Sequence, residues 1–92
     1  MMELERLVVF VPAFNEENSI AGVVKSIPRK VVGVKKVLIL VVNDGSHDNT
    51  VATALSAGAD RVHSHKTNLG LGKAFKTGID ESLKMDADCI VT

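Results

Sequence analysis

Asp44 closes an apolar run and is followed at once by Gly45 and Ser46. A carboxylate in that position can accept a hydrogen bond from the ring N–H of uracil or guanine, a charge-assisted bond of about 1.5–3 kcal/mol. Gly45 lets backbone approach a ligand closely, and Ser46 with Asp48 shapes the turn that follows. Two further clusters also follow apolar runs. In Pro12, Ala13, Phe14, Asn15 and Glu16, the polar pair Asn15 and Glu16 can hold a loop or meet a ribose hydroxyl. In Asn68, Leu69, Gly70, Leu71, Gly72 and Lys73, the lysine opens a helix and can reach a phosphate, aided by the field of the helix N-terminus. Each cluster also has a plainer reading. Asp-Gly is common in turns, Glu16 suits the positive end of a helix, and Gly70 and Gly72 can simply shape a turn.

The better-known phosphate loops do not fit. Gly70 and Gly72 supply two glycines of a dinucleotide fingerprint, but Phe75 stands where the third belongs and the loop follows the third run rather than the first. A P-loop needs glycine at 67 and a hydroxyl at 74, where Thr67 and Ala74 stand. His63 and His65 fall on one strand face without a third ligand, so zinc is not expected. Cys89 reads as inert core.

Four runs rich in β-branched residues must position these clusters: Leu7 to Val11, Val37 to Val42, Arg61 to His65 and Cys89 to Val91. Near-continuous apolar character predicts strands buried on both faces of a parallel sheet. The third run is more polar and suits an edge. Ile20, Val23, Val24 and Ile27 predict one amphipathic helix, capped by Asn15 or Asn18 and ended by Pro28. Asp48 as cap, Val51, Ala54 and Leu55 inward, and Gly58 as terminator predict a second. A third runs from about Gly72 to Lys84 with Phe75, Ile79 and Leu83 on its inner face. The order βαβαβαβ predicts an α/β, Rossmann-like, mainly parallel sheet with right-handed crossovers. Open sheets of this kind bind ligands beyond the carboxyl ends of their strands, where all three clusters fall. The opposite rim (Arg29 to Lys36, Ala59, Asp60, Asp86 to Asp88) carries generic loop residues.

With 92 residues the chain is expected to form a single domain, 1–92, of marginal stability. A net charge of +0 and no basic helix argue against nucleic acid or a membrane surface as partner. No run approaches a membrane span, and no signal peptide opens the chain. One cysteine excludes an internal disulfide and favours the cytoplasm. A final strand with no following helix leaves one sheet face uncovered, which suggests a truncated piece of something longer.

The stretches Val-Pro-Ala-Phe-Asn-Glu-Glu (11 to 17), Val-Asn-Asp-Gly-Ser-His-Asp-Asn-Thr (42 to 50) and Asn-Leu-Gly-Leu-Gly-Lys-Ala (68 to 74) together resemble family 2 glycosyltransferases, especially the branch of dolichyl-phosphate mannose and glucose synthases. The resemblance covers about Leu7 to Thr92. It implies the N-terminal half of a GT-A fold that binds a UDP- or GDP-linked sugar, in an inverting enzyme with an acceptor such as a lipid phosphate. It assigns Pro12, Asn15 and Glu16, with Ala13 between them, to the first nucleotide-contacting loop. Asp44 becomes the base-reading aspartate, in a turn with Gly45 and Ser46, and Gly70, Gly72 and Lys73 the loop beside the nucleotide. Asn43 departs from the family's usual aspartate pair.

The resemblance also implies Mg²⁺ or Mn²⁺ for the full-length enzyme, held by an Asp-x-Asp after the fourth strand. Asp86 and Asp88 spell that motif but precede the strand, so they are rejected as ligands. No metal ligand and no catalytic residue is expected within this chain, which alone is expected to be inactive. The full-length enzyme is expected in the cytoplasm or on the cytoplasmic face of a membrane. Two rival readings remain. One is a non-catalytic nucleotide-binding module that forms a homo-oligomer through its uncovered sheet surface. The other is a sugar nucleotidyltransferase, disfavoured because Pro12 to Glu17 has no glycine.

Overall fold

A computed structural model of the chain describes residues 3–92. Its elements run β1 (Leu4–Ala13), α1 (Ile20–Ser26), β2 (Val34–Asn43), α2 (Thr50–Ala57), β3 (Arg61–Ser64), α3 (Leu71–Lys84) and β4 (Cys89–Val91). The four strands form one sheet in the order β3-β2-β1-β4, every pair parallel. Strand alternation splits the core in two. Ile39 and Val41 of β2 join Ile20, Val24 and Ala54 under α1 and α2. Leu40 and Val42 join Val8, Phe10 and Ala74 under α3. β2 is therefore sealed on both faces, which is why its sequence reads as an unbroken apolar run.

Both edge strands are short, and carboxylates extend them. β3 pairs only with Leu40 to Asn43. Ahead of it, Asp60 donates its N–H to Ile39 O at 2.9 Å and accepts the Ile39 N–H at 2.7 Å. Arg29 bonds Val37 O, the Asp60 carboxylate and Gly58 O. On the other side β4 pairs with Leu7 to Val9. The Asp88 carboxylate continues that ladder by accepting the N–H groups of Glu5 and Arg6 at 2.9 and 3.0 Å. Unpaired strand N–H groups thus find acceptors where the neighbouring strand is missing. The rim expected to carry generic loop residues is a built part of the sheet.

The helices depart from their predicted faces. Ser19, not Asn15 or Asn18, occupies the N-cap of α1, and Val23 of that helix is exposed. Asn49 caps α2, while Asp48 one residue earlier accepts the Thr50 N–H at 3.0 Å; Leu55 points outward and Thr50 inward. In α3 the buried face is Ala74, Thr77, Gly78 and Ser82, and Ile79 and Leu83 are exposed. The reason is proximity. The Phe10 ring lies on Gly78, where a Cβ would come well inside 3.0 Å of ring carbons. Phe75 meets the same ring edge-on, with centroids 5.6 Å apart. A helix drawn this close must turn its small side to the sheet. Cys89 is only partly buried, because β4 is an edge.

Gly78→Ala is expected to cost about 1–3 kcal/mol by overpacking, despite alanine's better helix propensity. Urea unfolding should show a lower midpoint with an unchanged slope. Adding Phe10→Leu should recover part of the loss.

Candidate functional site

The chain reverses direction across the sheet at β1. α1 and α2 pack on one face and α3 on the other, so a crevice forms at the carboxyl ends of the strands. It is a cleft of about 270 Å³ lined by the 12–14 stretch, Glu16, Asp44, Asn68, Gly70, Leu71 and Ala74. That volume is near the lower end for small-molecule sites. All three clusters named from the sequence meet at this rim.

Asp44 sits at its centre and is buried, with only 7% of its side chain exposed. Oδ1 accepts the Leu69 N–H at 2.8 Å and lies 2.8 Å from His65 Nδ1. Oδ2 accepts the Gly70 N–H at 2.9 Å. An ionised carboxylate only accepts, so His65 carries its proton on Nδ1; Nε2 lies 2.8 Å from the Thr77 hydroxyl on α3. Burial pushes the Asp44 carboxyl up, but the bonds from His65, Leu69 and Gly70 outweigh it and hold the group below its ordinary value. The carboxylate is a clamp on the loop after β3, a role its sequence position did not reveal. Part of Oδ2's acceptor capacity remains, since each carboxylate oxygen can take about two bonds.

The first two loops are stitched together by their own polar residues. Asn15, at φ 50°, donates its N–H to Ser46 Oγ at 2.9 Å, and its Oδ1 accepts the His47 N–H at 2.9 Å. The Glu16 N–H meets Thr50 Oγ1 at 2.8 Å, and Glu17 Oε2 accepts the Asn49 N–H at 3.1 Å. A left-handed backbone at a non-glycine residue is uncommon, and asparagine tolerates it best. Asn43 Oδ1 accepts the Ser46 N–H at 3.1 Å while its Nδ2 donates to Ser64 Oγ at 3.1 Å. The side chain at position 43 thus ties the end of β2 to the end of β3 and to the turn that follows β2. Gly45, at φ 78°, packs against the backbone of Thr67 and Asn68 so tightly that any Cβ would collide with it.

Pro12, Ala13, Glu16, Asp44 and Gly70 thus line the cleft. Asn15, Gly45 and Ser46 build its wall from behind. Gly72 and Lys73 lie exposed on the first turn of α3. Phe14, Asn68, Leu71 and Ala74, which belong to the clusters and stretches named above but were given no role of their own, also line the cleft, and His65 with Thr77 supports it. The pairing of His63 and His65 on one face was legible, with rings 6.0 Å apart. Their partners on α3, Glu81 and Thr77, were not.

Among the described residues no group of three or more His, Cys, Asp and Glu is arranged around a metal site. Asp86 pairs with Arg6 and Asp88 is spent on β1 N–H groups, both at the rim opposite the cleft. Among the described residues no helix is long and apolar enough to cross a membrane.

Residues 8–92 match the sequence profile of Glycosyl transferase family 2. The chain is 40% identical to an uncharacterised protein of Methanocaldococcus jannaschii over 96% of its own length and 34% of that relative's. It is 37% identical to a polyprenol monophosphomannose synthase of Mycolicibacterium smegmatis over 91% of its length and 36% of that relative's. Among solved structures, glucosyl-3-phosphoglycerate synthase from Mycobacterium tuberculosis, in complex with Mg²⁺ and uridine diphosphate, superposes with a TM-score of 0.55 at 35% identity, covering 78% of this chain and 27% of that one. The chain spans about a third of the length of the curated relatives named here. Its parallel sheet has the Rossmann-like arrangement of a GT-A glycosyltransferase. Since the profile reaches all four strands and all three loops, the chain belongs to glycosyl transferase family 2.

Proposed function

We propose that this chain forms the nucleotide-binding part of an enzyme that transfers a sugar from a UDP- or GDP-linked donor to an acceptor such as a polyprenyl phosphate. The observation that carries the reading is the convergence of three loops on one cleft around a buried, ionised carboxylate. The open capacity of Asp44 Oδ2 suits the ring N–H of a base. Pro12, Ala13 and Phe14 supply an apolar wall for its face, and Glu16 stands where a ribose hydroxyl can be met. Lys73 and the free N–H groups of the first turn of α3 suit the diphosphate. The lipid-phosphate acceptor rests on likeness to the polyprenol monophosphomannose synthase; a place in the cytoplasm or on its membrane face goes with that acceptor.

Transfer in the whole enzyme would be a direct displacement at the anomeric carbon by an activated acceptor oxygen, with departure of the nucleoside diphosphate. This chain's side chains orient the donor. Among the described residues no group of three or more His, Cys, Asp and Glu is gathered to hold a cation, and the acceptor's base belongs in this reading to the rest of the enzyme. The chain alone is therefore expected to bind a nucleotide without turning over a sugar donor. Metal-dependent transfer of radiolabelled sugar by the purified 92-residue protein would contradict this.

Calorimetry with UDP and GDP is expected to show binding to at least one. Asp44→Ala should weaken it about 10- to 100-fold, the value of one charge-assisted bond. Lys73→Ala should weaken the diphosphate more than the nucleoside. A folded sample that binds neither nucleotide would overturn the proposal.

The same carboxylate sets an acid limit. Its native pKa is lowered, so its contribution is fully present above the unfolded value, about 3.9, and is lost as pH falls through the native one. Asp44→Asn should flatten the loss of stability as pH falls below about 4, measured by urea unfolding at each pH. A residual slope is expected from Asp48, lowered by its bond to the Thr50 hydroxyl, and Glu81, lowered by its bond to Lys84.

A further inference from the structure

We infer that the cleft selects uracil over guanine, because Asp44 has one acceptor position left to offer. The inference rests on the nucleotide reading above and names the base for that same site. Of the four positions of an ionised carboxylate, Oδ1 spends two on His65 Nδ1 and the Leu69 N–H, both at 2.8 Å. Oδ2 spends one on the Gly70 N–H at 2.9 Å. The remaining position belongs to Oδ2, on a side chain that lines the cleft.

Uracil presents a single donor, N3–H, between two carbonyl oxygens. One acceptor satisfies that edge. The flanking oxygens call for donors, and Leu71, on the cleft wall, carries an N–H from the unpaired first turn of α3. Guanine presents N1–H and the exocyclic amine side by side, a pair that matches both oxygens of a carboxylate at once. Here Oδ1 is full, so the amine would enter the cleft facing Asp44 without an acceptor. A site that strips water from a donor and gives it no partner discriminates strongly against it. The other carboxylate on the wall, Glu16, is exposed and has its Oε2 held by the Ser19 hydroxyl at 2.8 Å. His65 is the specificity-determining neighbour: by filling Oδ1 it turns a two-oxygen acceptor into a one-bond acceptor.

The test varies the ligand and leaves the protein intact. Calorimetry on the 92-residue chain would compare UDP, GDP, inosine diphosphate and 3-methyl-UDP. UDP is expected to bind at least about 10-fold tighter than GDP. Inosine diphosphate, which keeps the purine but lacks the amine, should recover most of that gap, and 3-methyl-UDP should lose binding. GDP binding as tightly as UDP would overturn the preference while leaving the nucleotide reading standing, as would GDP binding that Glu16→Gln abolishes. Inosine diphosphate binding no tighter than GDP would make ring size the cause and overturn the acceptor count. Failure of all four to bind would remove the nucleotide reading itself.

Discussion

The Asp44 carboxylate, shut away from water and met by two backbone N–H groups and an imidazole, is the contact on which the site depends. A buried charge is costly unless it is hydrogen-bonded on most sides. Here the loop after β3 supplies what the carboxylate needs, and in return its conformation is set. Gly70 can adopt the φ of 96° that turns the chain into α3 while its N–H stays on Oδ2. Through His65 and Thr77 the same carboxylate is tied to the third helix. One side chain at a strand end thus fixes a neighbouring loop and steadies the helix beyond it.

Around that clamp, the polar residues of the first two loops build the rim. Asn15, Glu16 and Glu17 of one loop exchange hydrogen bonds with Ser46, His47, Asp48 and Thr50 of another, about thirty residues away in sequence. Such mutual bonds hold loops in one arrangement without an apolar core beneath them, which preorganises a cleft and lowers the ordering cost of binding. Small residues complete the arrangement. Gly45 admits the backbone of Thr67 and Asn68, and Gly78 admits the Phe10 ring. In both places backbone and neighbour lie closer than any side chain would permit.

At the other rim, carboxylates do a different task. Asp60 and Asp88 each stand just before a short edge strand and accept N–H groups of the longer strand beside it. Of the Asp-x-Asp spelled by residues 86 and 88, Asp88 builds the sheet and Asp86 pairs with the Arg6 side chain. Position relative to the strand, rather than spelling, decides what a carboxylate pair can do.

Sequence alone determined the alternation of strands and helices, the parallel sheet, the polar edge at β3, the end of α2 at Gly58 and the rim at which three clusters gather. These follow from local periodicity, turn chemistry and the handedness of crossovers, all of which act within a short stretch of chain. Tertiary structure alone decided which face of α3 is buried, since the Phe10 ring on Gly78 overrides the apolar stripe of Ile79 and Leu83. It also decided that Asp44 clamps the loop after β3, and that His65 and Thr77 stand behind it. Hydrogen bonds between residues tens of positions apart leave no periodic trace in a sequence; they exist only once the sheet has brought their partners within about 3 Å.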